Sequence, residues 1–424
     1  MNKLNCSKTA ILLFSFFVGT LPLNAQWTDV GTFNQSMNDL KSYSNQLWIG
    51  GNFTKVNNMT CYWSAAYDGA SYSLHTNLIG GIGIKRFEVF NGTLFSAGGM
   101  DFKEVSSWDG STWVSEANIN ESCTGIYADG NDLFVGSDFG QVFKRTGSGG
   151  FSPLPSFNDN DDINAFAKFN GQIIVAGKFG SVGGTAFNNI AAWNGSSWIP
   201  LGTGLNGVVS SLAVYKNELY AAGNFSTAGG QSANYIAKWN GSSWTAVGGS
   251  VTGTGFNGLR DMAVAGNNLF VAGDFTKVGN VTTKGVAYWN GSNWTGMNFT
   301  ESSDFPNCIE SFDGKIYIGT LSFTASKLFR FDGTVSAHEP VAALEFLCAP
   351  NPASDQVEIS LSDPGNNQSL NLKILDAAGR LVLEDKDFRQ SARYSCAAWP
   401  VGIYQVVLSD ASGQVRGEER LVKQ

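Results

Sequence analysis

A short apolar segment recurs along most of the chain at nearly constant spacing. Residues 47–50 read Leu-Trp-Ile-Gly, residues 316–319 read Ile-Tyr-Ile-Gly, and the copies begin at Leu47, Leu94, Leu133, Ile173, Leu219, Leu269 and Ile316. Successive copies therefore start 47, 39, 40, 46, 50 and 47 residues apart. Repeats of about 40 to 50 residues are typical of propeller blades built from four strands. The spacing predicts a seven-bladed β-propeller of four-stranded antiparallel blades.

The repeat also specifies the first hairpin of each blade. Seven positions before each copy stands an apolar anchor residue, and these anchors are Leu40, Phe87, Ile126, Phe166, Leu212, Met262 and Ile309. Between anchor and copy lies a pair such as Asn91 and Gly92. Asn, Asp and Gly tolerate the positive φ of tight hairpin turns. We therefore expect a short hairpin to join the first two strands of every blade.

A second motif recurs downstream of the first. Residues 190–198, 236–244 and 286–294 share the pattern Trp-Asn-Gly-Ser-x-Trp. An Asn-Gly turn between two strand aromatics predicts a hairpin that joins the third and fourth strands, with the Trp rings packed between blades. An alternative is that the Trp faces stack on sugar rings. Because the same chemistry recurs in every intact copy, packing is the preferred interpretation.

The last repeat lacks a fourth strand. Residues 331–333 read Phe-Asp-Gly and align with the turn motif, but Ser336 stands where its second Trp recurs elsewhere. Residues 27–31, Trp-Thr-Asp-Val-Gly, match residues 244–248, Trp-Thr-Ala-Val-Gly. We predict that residues 27–31 supply the missing strand, because closing the ring removes an open edge that would invite aggregation.

Composition and charge narrow the class of protein. The 424 residues are 43% hydrophobic and include 51 Gly, which favours an all-β fold rich in turns. The net charge of -8, without a Lys or Arg cluster, argues against a nucleic-acid partner. Lys3 and Lys8, then an apolar stretch and a small residue, predict a signal peptide over residues 1–25, cleaved between Ala25 and Gln26. No later stretch suits a transmembrane segment, so we expect an exported protein.

The composition changes near Pro340, where the repeat ends. We expect the propeller to span residues 26–339, a linker residues 340–347, and a second domain residues 348–424. A small immunoglobulin-like β-sandwich is predicted there by alternating apolar and polar runs at residues 356–361, 370–375 and 403–408. Cys348 and Cys396 lie within this segment and could form a disulfide.

Several motifs of the second domain point to a known family. Residues 350–355 read Pro-Asn-Pro-Ala-Ser-Asp, residues 376–382 read Asp-Ala-Ala-Gly-Arg-Leu-Val, and residues 400–404 read Pro-Val-Gly-Ile-Tyr. The domain resembles the type A sorting domain of the bacterial type IX secretion system, a family typical of Bacteroidetes. The resemblance implies that the type IX machinery is a partner and that the protein is secreted or held at the outer-membrane surface. The residues that carry it are Pro350, Asn351, Pro352, Gly379, Arg380, Gly402, Tyr404 and Lys423.

The repeats resemble kelch-type and galactose-oxidase-like propeller repeats, and also those of fungal cortical cell-polarity marker proteins. This resemblance implies a propeller scaffold, which hosts binding proteins, hydrolases, lyases and oxidases alike. The copper chemistry of galactose oxidase requires histidine ligands. The chain has 2 histidines, His75 and His338, so we exclude that activity.

Charged residues stand near the predicted start of several first strands, which line the central channel of a propeller. They include Lys85 and Arg260, and the candidate ligand-binding residues of the channel mouth are Asp39, Arg86 and Asp261. A ring of mutually compensating charges around water is the preferred interpretation of these residues, and a binding mouth is the alternative. No nucleophile elbow, phosphate loop or metal-binding triplet occurs, so we identify no catalytic residue.

Two loop features remain as candidate sites. Asp159 and Asp161 belong to the densest acidic cluster, and their spacing suits Ca²⁺, but the cluster lacks the Gly and distal Glu of an EF-hand loop, so a solvated turn is the preferred interpretation. We expect no other cofactor. The segments between second and third strands, such as residues 226–234 and 276–284, are polar and varied. Varied loops on a repeated scaffold favour recognition.

The preferred function is an exported, non-catalytic propeller that binds a glycan or another protein. The first alternative is a secreted carbohydrate-active enzyme, a glycoside hydrolase or lyase, that uses Asp, Glu or Tyr in the channel mouth. The second is a structural component of the cell-surface layer.

Overall fold

The computed structural model describes residues 27–76, 83–98, 104–157, 161–182, 184–253, 255, 258–299, 305–322, 325–333, 346–361, 370–376, 381–409 and 415–423. Every helix or strand element in these ranges is a β-strand, which confirms the predicted all-β class. Within them, no helix is long and apolar enough to cross a membrane. The predicted signal peptide, with its cleavage site at Ala25 and Gln26, lies outside the described residues, as do residues 340–345 of the predicted linker.

The first half of the repeat region forms three antiparallel four-stranded sheets in the described ranges, preceded by β1 (Trp27–Phe33). Sheet 1 contains β2 (Met37–Tyr43), β3 (Gln46–Gly51), β6 (Ser64–Tyr67) and β7 (Tyr72–Leu74). The hairpin of β4 (Lys55–Val56) and β5 (Met59–Thr60) is inserted between β3 and β6 in the chain but pairs with β1. Sheet 2 contains β8 (Ile84–Phe90), β9 (Thr93–Gly98), β10 (Glu104–Trp108) and β11 (Trp113–Asn118). Sheet 3 contains β12 (Cys123–Asp129), β13 (Asp132–Ser137), β14 (Val142–Thr146) and β15 (Ser152–Pro153).

The second half continues the pattern. Sheet 4 contains β16 (Asp162–Phe169), β17 (Gln172–Lys178), β20 (Ile190–Trp193) and β21 (Trp198–Pro200), and the hairpin of β18 (Ser181–Val182) and β19 (Thr185–Ala186), inserted after β17, forms a separate small sheet. Sheet 5 contains β22 (Val208–Tyr215), β23 (Glu218–Asn224), β26 (Ile236–Trp239) and β27 (Trp244–Ala246), and the hairpin of β24 (Thr227–Ala228) and β25 (Gln231–Ser232), inserted after β23, is again separate. Sheet 6 contains β29 (Leu259–Ala265), β30 (Asn268–Gly273), β33 (Val286–Trp289) and β34 (Trp294–Gly296), and the hairpin of β31 (Lys277–Val278) and β32 (Val281–Thr282), inserted after β30, pairs with β28 (Val251–Thr252). Sheet 7 contains β35 (Phe305–Phe312), β36 (Lys315–Leu321), β37 (Ser326–Phe331) and β1.

The first strands of sheets 1 to 7 form a closed ring. Each packs beside the first strand of the next sheet, and β35 of sheet 7 packs beside β2 of sheet 1. Strand β1 pairs antiparallel with β37, with Trp27 opposite Phe331 and Phe33 opposite Ser326. The prediction that the N-terminal strand completes the last sheet is confirmed. A ring of antiparallel sheets closed in this way is a β-propeller.

Strand β1 is held by aromatic side chains at both ends. The Trp27 ring lies 5.0 Å from that of Phe331, and its indole N–H donates to the carbonyl of Met297 at 2.9 Å. Phe33 is fully buried and lies opposite Val56 in the inserted hairpin of sheet 1. One strand therefore completes sheet 7 and also links it to sheet 1.

The Trp side chains that flank the Trp-Asn-Gly turns pack between neighbouring sheets. In residues 193–198 the side-chain oxygen of Asn194 accepts two backbone N–H groups of the turn, each at 2.9 Å, and the Trp193 and Trp198 rings lie 5.0 Å apart. The second Trp of each motif donates its indole N–H to a backbone carbonyl near the end of the preceding sheet. These bonds run from Trp198 to Pro155 at 2.7 Å, from Trp244 to Leu201 at 2.9 Å and from Trp294 to Val247 at 3.3 Å. The motif thus joins neighbouring sheets through buried aromatics.

The segments between second and third strands in sheets 1, 4, 5 and 6 contain regular hairpins. Each begins with a buried aromatic, and these are Phe53, Phe179, Phe225 and Phe275. In sheet 5, Ala228 is also buried and bridges to Leu205 from the preceding connection. The description of these segments as varied polar loops therefore needs correction. Their bases belong to the core, and tip residues such as Gln231 and Ser232 are exposed.

The C-terminal domain has two antiparallel sheets in the described ranges. One contains β38 (Phe346–Ala349), β39 (Gln356–Leu361) and β42 (Ser391–Ser395), and the other contains β40 (Leu370–Asp376), β41 (Leu381–Phe388), β43 (Gly402–Ser409) and β44 (Val415–Lys423). Val357 and Ile359 from the first sheet and Leu372 and Val406 from the second share one buried core. In the structure Cys348 and Cys396 are not joined by a disulfide.

Candidate functional site

A β-bulge interrupts the first strand of every sheet from 1 to 7 at the same place. In β2, Met37 and Asp39 pair with the consecutive residues Gly51 and Gly50, which leaves Asn38 without a partner in the ladder. The corresponding bulge residues in chain order are Asn38, Lys85, Thr124, Asn164, Ser210, Arg260 and Asn307. A bulge bends its strand and redirects a side chain. The repeat therefore redirects one polar side chain per sheet.

The bulge residues converge on one cavity of about 330 Å³, the mouth cavity. It is lined by all of them and by Arg86, Val208 and Asn224. The bulges lie near the beginning of their strands, so the cavity lies at the end of the channel where the first strands begin. Val208 is the one apolar residue among the described lining residues, so the wall is polar almost throughout.

Several bulge residues tie each sheet to the next. The Asn38 amide donates to the carbonyl of Ile84 at 2.8 Å. The same bond runs from Thr124 to Ile163 at 2.8 Å, from Asn164 to Val209 at 3.3 Å and from Asn307 to Met37 at 2.7 Å. In all four bonds, the residue that supplies the acceptor carbonyl comes directly before the bulge residue of the neighbouring sheet in the sequence. These side chains therefore direct a donor into the ring rather than into the cavity.

The mouth cavity is positively charged. Lys85, Arg86 and Arg260 line it, and no Asp or Glu occurs among the described residues of its wall. Arg86 donates to the carbonyl of Asn38 and Arg260 to the Asn307 amide oxygen, both at 2.8 Å. Burial lowers the pKa of Lys85, and the Arg86 charge lowers it further. Burial also lowers the pKa of Arg260. The charges of Asp138 and Asp274 oppose these shifts at Lys85 and Arg260, respectively.

A second cavity of about 230 Å³, the inner cavity, lies further along the first strands. Its wall includes the carboxyl groups of Asp39, Glu88, Asp261 and Glu310, and the cations Lys41 and Arg86. Asp39 accepts the backbone N–H of Phe87 at 2.7 Å, and Asp261 accepts that of Ile309 at 3.0 Å. Each Asp directly follows a bulge residue and binds the anchor of another sheet. Both carboxyl groups therefore hold neighbouring sheets together.

Burial has the largest effect on the pKa values of Asp39, Asp261 and Glu310, three carboxyl groups of the inner cavity. It raises the pKa of Asp39 to about 7, where the Arg86 guanidinium 4.0 Å away opposes the rise and Asp261 adds to it. Burial also raises the pKa of Asp261. The pKa of Glu310 rises to about 7 through burial, with Lys41 opposing. Asp39 and Glu310 therefore have pKa values near neutral pH.

The structure brings together the candidate residues Asp39, Arg86 and Asp261. Arg86 lines both cavities, whereas Asp39 and Asp261 line the inner cavity alone. Lys85 and Arg260, which the sequence also places at the channel, line the mouth cavity. The ring of compensating charges that the sequence favours is seen in part, since Arg86 is paired with Asp39 and Lys41 with Glu88 in the inner cavity.

Of the two calcium candidates, Asp161 is among the described residues and Asp159 is not. Asp161 lies directly before β16, and Asp159 lies outside the described residues. In the part of the chain that the structure covers, no three His, Cys, Asp or Glu side chains are grouped to hold a metal ion. Calcium binding at Asp159 and Asp161 stays a prediction.

Sequence reasoning missed the bulge residues as a set, and it missed Glu310. A usable pattern was present, because the residue two positions before each anchor is polar in every copy, from Asn38 before Leu40 to Asn307 before Ile309. A polar residue at that position also fits an ordinary strand. Only the pairing register shows that the residue is bulged and directed into the mouth.

The sorting motifs meet within the C-terminal domain. The Asn351 side chain accepts the backbone N–H of Val422 at 2.9 Å. Gly402 lies opposite Lys423 in the ladder of β43 and β44, and the Tyr404 hydroxyl donates to the carbonyl of Pro400 at 2.7 Å. The Pro-Asn-Pro turn is therefore bonded to the final strand.

The remaining motif residues fall on either side of this contact. Pro350 and Pro352 flank Asn351 between β38 and β39, and the Tyr404 side chain is buried. Gly379 and Arg380 lie outside the described residues.

Comparison with known families identifies the tail. Residues 348–424 match the secretion system C-terminal sorting domain. No curated protein matches the chain. The tail is a type IX sorting domain, and it implies export to the cell surface or the medium.

Solved structures share the fold at low identity. A catalytically inactive virginiamycin B lyase from Staphylococcus aureus, solved with quinupristin, matches with a TM-score of 0.51 at 12% identity over 72% of this chain and 98% of that chain. PorZ, a bacterial surface component of the type IX secretion system of Porphyromonas gingivalis, matches with a TM-score of 0.39 at 15% identity over 92% of this chain, which spans 66% of the length of PorZ. The WD40 β-propeller domain of Doa1 matches with a TM-score of 0.48 at 11% identity over 72% of this chain and 97% of that domain. At such identities the likeness concerns the fold alone.

Proposed function

We propose that this protein is an exported β-propeller that binds a glycan or another protein in the mouth cavity without catalysing a reaction. In this proposal sheets 1 to 7 are the blades of a seven-bladed, kelch-like propeller. Residues 348–424 form an immunoglobulin-like sandwich that engages the type IX machinery of a Bacteroidetes-type cell. The observation that carries the proposal is the convergence of the bulge residues on one cavity.

The variety of the bulge residues supports a binding role. Asn38, Thr124, Asn164 and Asn307 make the bonds that tie the ring, and neutral side chains suffice for that task. Lys85 and Arg260 bring charged side chains to the same positions, and Arg260 also bonds to the next sheet through the Asn307 amide oxygen at 2.8 Å. The charge at the bulge position therefore varies between sheets while the position itself is kept. Varied side chains on a repeated scaffold favour recognition.

The position of the carboxyl groups supports binding without hydrolysis. A glycosidase needs two carboxyl groups about 5 to 10 Å apart on either side of the bond that it cleaves. Asp39 and Asp261 accept backbone N–H groups that hold neighbouring sheets, so they are committed to the ring. The described wall of the mouth cavity has no carboxyl group to offer.

A second candidate function, a secreted carbohydrate-active enzyme, is favoured by one observation. The pKa values of Asp39 and Glu310 both rise to about 7, the range in which a carboxyl group serves as a general acid. If this function holds, Asp39→Asn and Glu310→Gln each abolish product formation while the variant protein stays folded. Product analysis by mass spectrometry of glycans incubated with wild type and both variants separates the two functions.

Binding in the mouth cavity is tested with a glycan and protein array screen of the secreted chain. Ser210→Trp places a large ring at a bulge position and fills the cavity. Val264→Trp is the matched control, because Val264 is 44% exposed near the other end of a first strand. We expect a wild-type hit to be lost in Ser210→Trp and kept in Val264→Trp. Equal binding by both variants places the site elsewhere.

The role of the tail is tested by deletion. The buried cluster of the C-terminal domain contains only residues from position 346 onward, so each part has its own core. Deleting residues 346–424 should leave a folded propeller in the periplasm, measured by fractionation and circular dichroism. As a control, residues 346–424 fused to an exported reporter should carry it out of the cell. Normal amounts of the truncated chain in the medium contradict the sorting role.

A further inference from the structure

Apolar side chains gather on the outer face of one sheet of the C-terminal domain. This sheet has the strand order β41, β40, β43 and β44, and its inner face packs in the buried core through Leu372 and Val406. On the outer face, Leu381 is 54% exposed and Ile403 is 45% exposed. Val401, directly before β43, is 77% exposed. Three large apolar side chains of one small domain therefore lie outside its core.

The strand register joins these side chains into one surface. Leu381 lies opposite Leu375, and Ile403 lies opposite Val422. Leu375 also lies opposite Gln405, two positions from Ile403, and long side chains in this diagonal relation are close enough to touch. We call this surface the tail patch, and its members are Leu375, Leu381, Val401, Ile403 and Val422.

The other end of the same face carries charge. Lys373, two positions before Leu375, lies 3.8 Å from Glu384. Glu384 also accepts the Asn371 amide at 3.0 Å and pairs with Lys386 at 3.6 Å. Polar and charged side chains are the ordinary covering of a sheet face that meets water. The tail patch departs from this pattern within its own sheet, and contiguous exposed apolar surface marks an interaction site.

The tail patch alternates with buried residues of the sorting motifs. Tyr404, Leu421 and Lys423 are buried, and Ile403 and Val422 stand between or beside them in the sequence. Successive side chains of a strand point to opposite faces, so each motif strand has an inward half and an outward half. Folding of the domain explains the inward half. The apolar outward half gains nothing from folding and needs another explanation.

We propose that the tail patch is the surface through which the sorting domain binds an apolar surface of the type IX machinery. This inference rests on the proposed engagement of that machinery and names the contact that makes it. Leu381, Val401 and Ile403 belong to two of the sorting motifs, so the patch is continuous with the segments that identify the domain. Removing exposed apolar side chains from water on binding stabilises the complex in proportion to the area that is covered.

The test follows export of the full chain from a cell that has a type IX system. A double variant, Leu381→Gln with Ile403→Gln, removes the apolar contact, and Val401→Gln changes a side chain outside the strands whose exposure makes it indifferent to folding. Val114→Gln is the matched control, because Val114 is 43% exposed in β11 of the propeller. Immunoblots of periplasm, cell surface and medium measure export, and thermal unfolding shows whether each variant is folded.

We expect the double variant to accumulate in the periplasm, with the exported fraction roughly tenfold below wild type, because losing a covered apolar side chain weakens binding by about that factor. Val401→Gln should act in the same direction, and Val114→Gln should be exported as wild type. If the double variant does not fold, Val401→Gln decides. Normal export of the folded patch variants overturns the inference, and the sorting role stands if deletion of residues 346–424 still blocks export. Normal export of that truncated chain makes the sorting role itself fail.

Photo-crosslinking identifies what covers the tail patch. A benzoyl-phenylalanine in place of Ile403 in the full chain is irradiated in exporting cells, and the same group in place of Lys386, at the charged end of the face, is the control. We expect position 403 to crosslink to a component of the type IX machinery and position 386 not to do so. A crosslink from position 403 to a second copy of this chain or to its own propeller overturns the inference, as does the absence of any crosslink.

Discussion

The propeller repeats two features, a bulge in each of sheets 1 to 7 and a Trp-Asn-Gly turn in sheets 4, 5 and 6, and the two differ in what is kept constant. The Trp-Asn-Gly turns keep their chemistry, since Trp198, Trp244 and Trp294 each bury an indole that donates to a carbonyl of the preceding sheet. The bulges keep their geometry, but the residue that occupies them changes from Asn to Lys, Thr, Ser or Arg.

This difference separates stability from recognition. A position that packs the same surface in every sheet needs the same side chain each time. At a bulge position that lines a cavity, only the direction of the side chain is kept, and the type of side chain can vary to suit a ligand. The predictions below test whether the turn motifs act on stability and the bulge region on charge.

The largest effect is expected at a turn motif. Trp239→Ala removes a side chain that is 8% exposed and whose ring lies 5.4 Å from Trp244. Truncation of a core Trp costs about 3 to 5 kcal/mol of unfolding free energy. Urea denaturation followed by fluorescence measures the loss, with Val264→Ala as an exposed control. Ligand affinity of the folded fraction should not change, and a loss of binding at unchanged stability would make the motif a binding platform.

The next effect concerns pH. The pKa of Asp39 in the folded chain, about 7, lies above its ordinary value of 3.8. Between these values the folded state binds more protons than the unfolded state, so the stability that Asp39 contributes below pH 4 is lost as the pH rises through 7. Three pKa units correspond to about 4 kcal/mol, which is an upper bound for a group coupled to Arg86 and Asp261.

Asp39→Asn tests this dependence. The amide oxygen can still accept the Phe87 N–H, but the group no longer titrates. We expect a flatter curve of melting temperature against pH between 4 and 8, and a variant more stable than wild type at pH 8. Asp109→Asn is the control, because hydrogen bonds of its turn hold the pKa of Asp109 at about 2, outside this window. Parallel curves for wild type and Asp39→Asn would show that burial does not govern this carboxyl group.

The smallest effect is expected at a neutral bulge residue. Thr124→Val keeps the shape of the side chain but removes the hydroxyl that donates to the Ile163 carbonyl at 2.8 Å. The unsatisfied carbonyl should cost about 1 to 2 kcal/mol. Ser210→Ala, at a bulge without such a tie in the described bonds, should change stability by less than about 0.5 kcal/mol. Denaturant midpoints measured side by side decide whether the ring is tied as described, since equal losses would contradict it.

The same division explains what the sequence predicts and what it does not. The turn motifs, the first hairpins and the closing role of Trp27 were predictable, because each depends on local chemistry that recurs along the chain. The bulges were not predictable. One extra residue near the start of a strand leaves the alternation of apolar and polar residues nearly intact, and it is visible only in the register of strand pairing. The inserted hairpins were not predicted because strands of two residues, such as β24, are too short to show a periodic pattern.

Closure of the ring by β1 also sets the timing of folding. Thr28 and Asp332, which bond across this closure, are 304 positions apart. At about 5 to 20 residues per second, the ribosome needs roughly 15 to 60 s to make the chain between them. Throughout that interval β1 can pair only with β4, through Phe33 and Val56, because β37 has not yet been made. Because an unpaired strand can add to another chain, the newly made protein is most prone to association before its last sheet is complete.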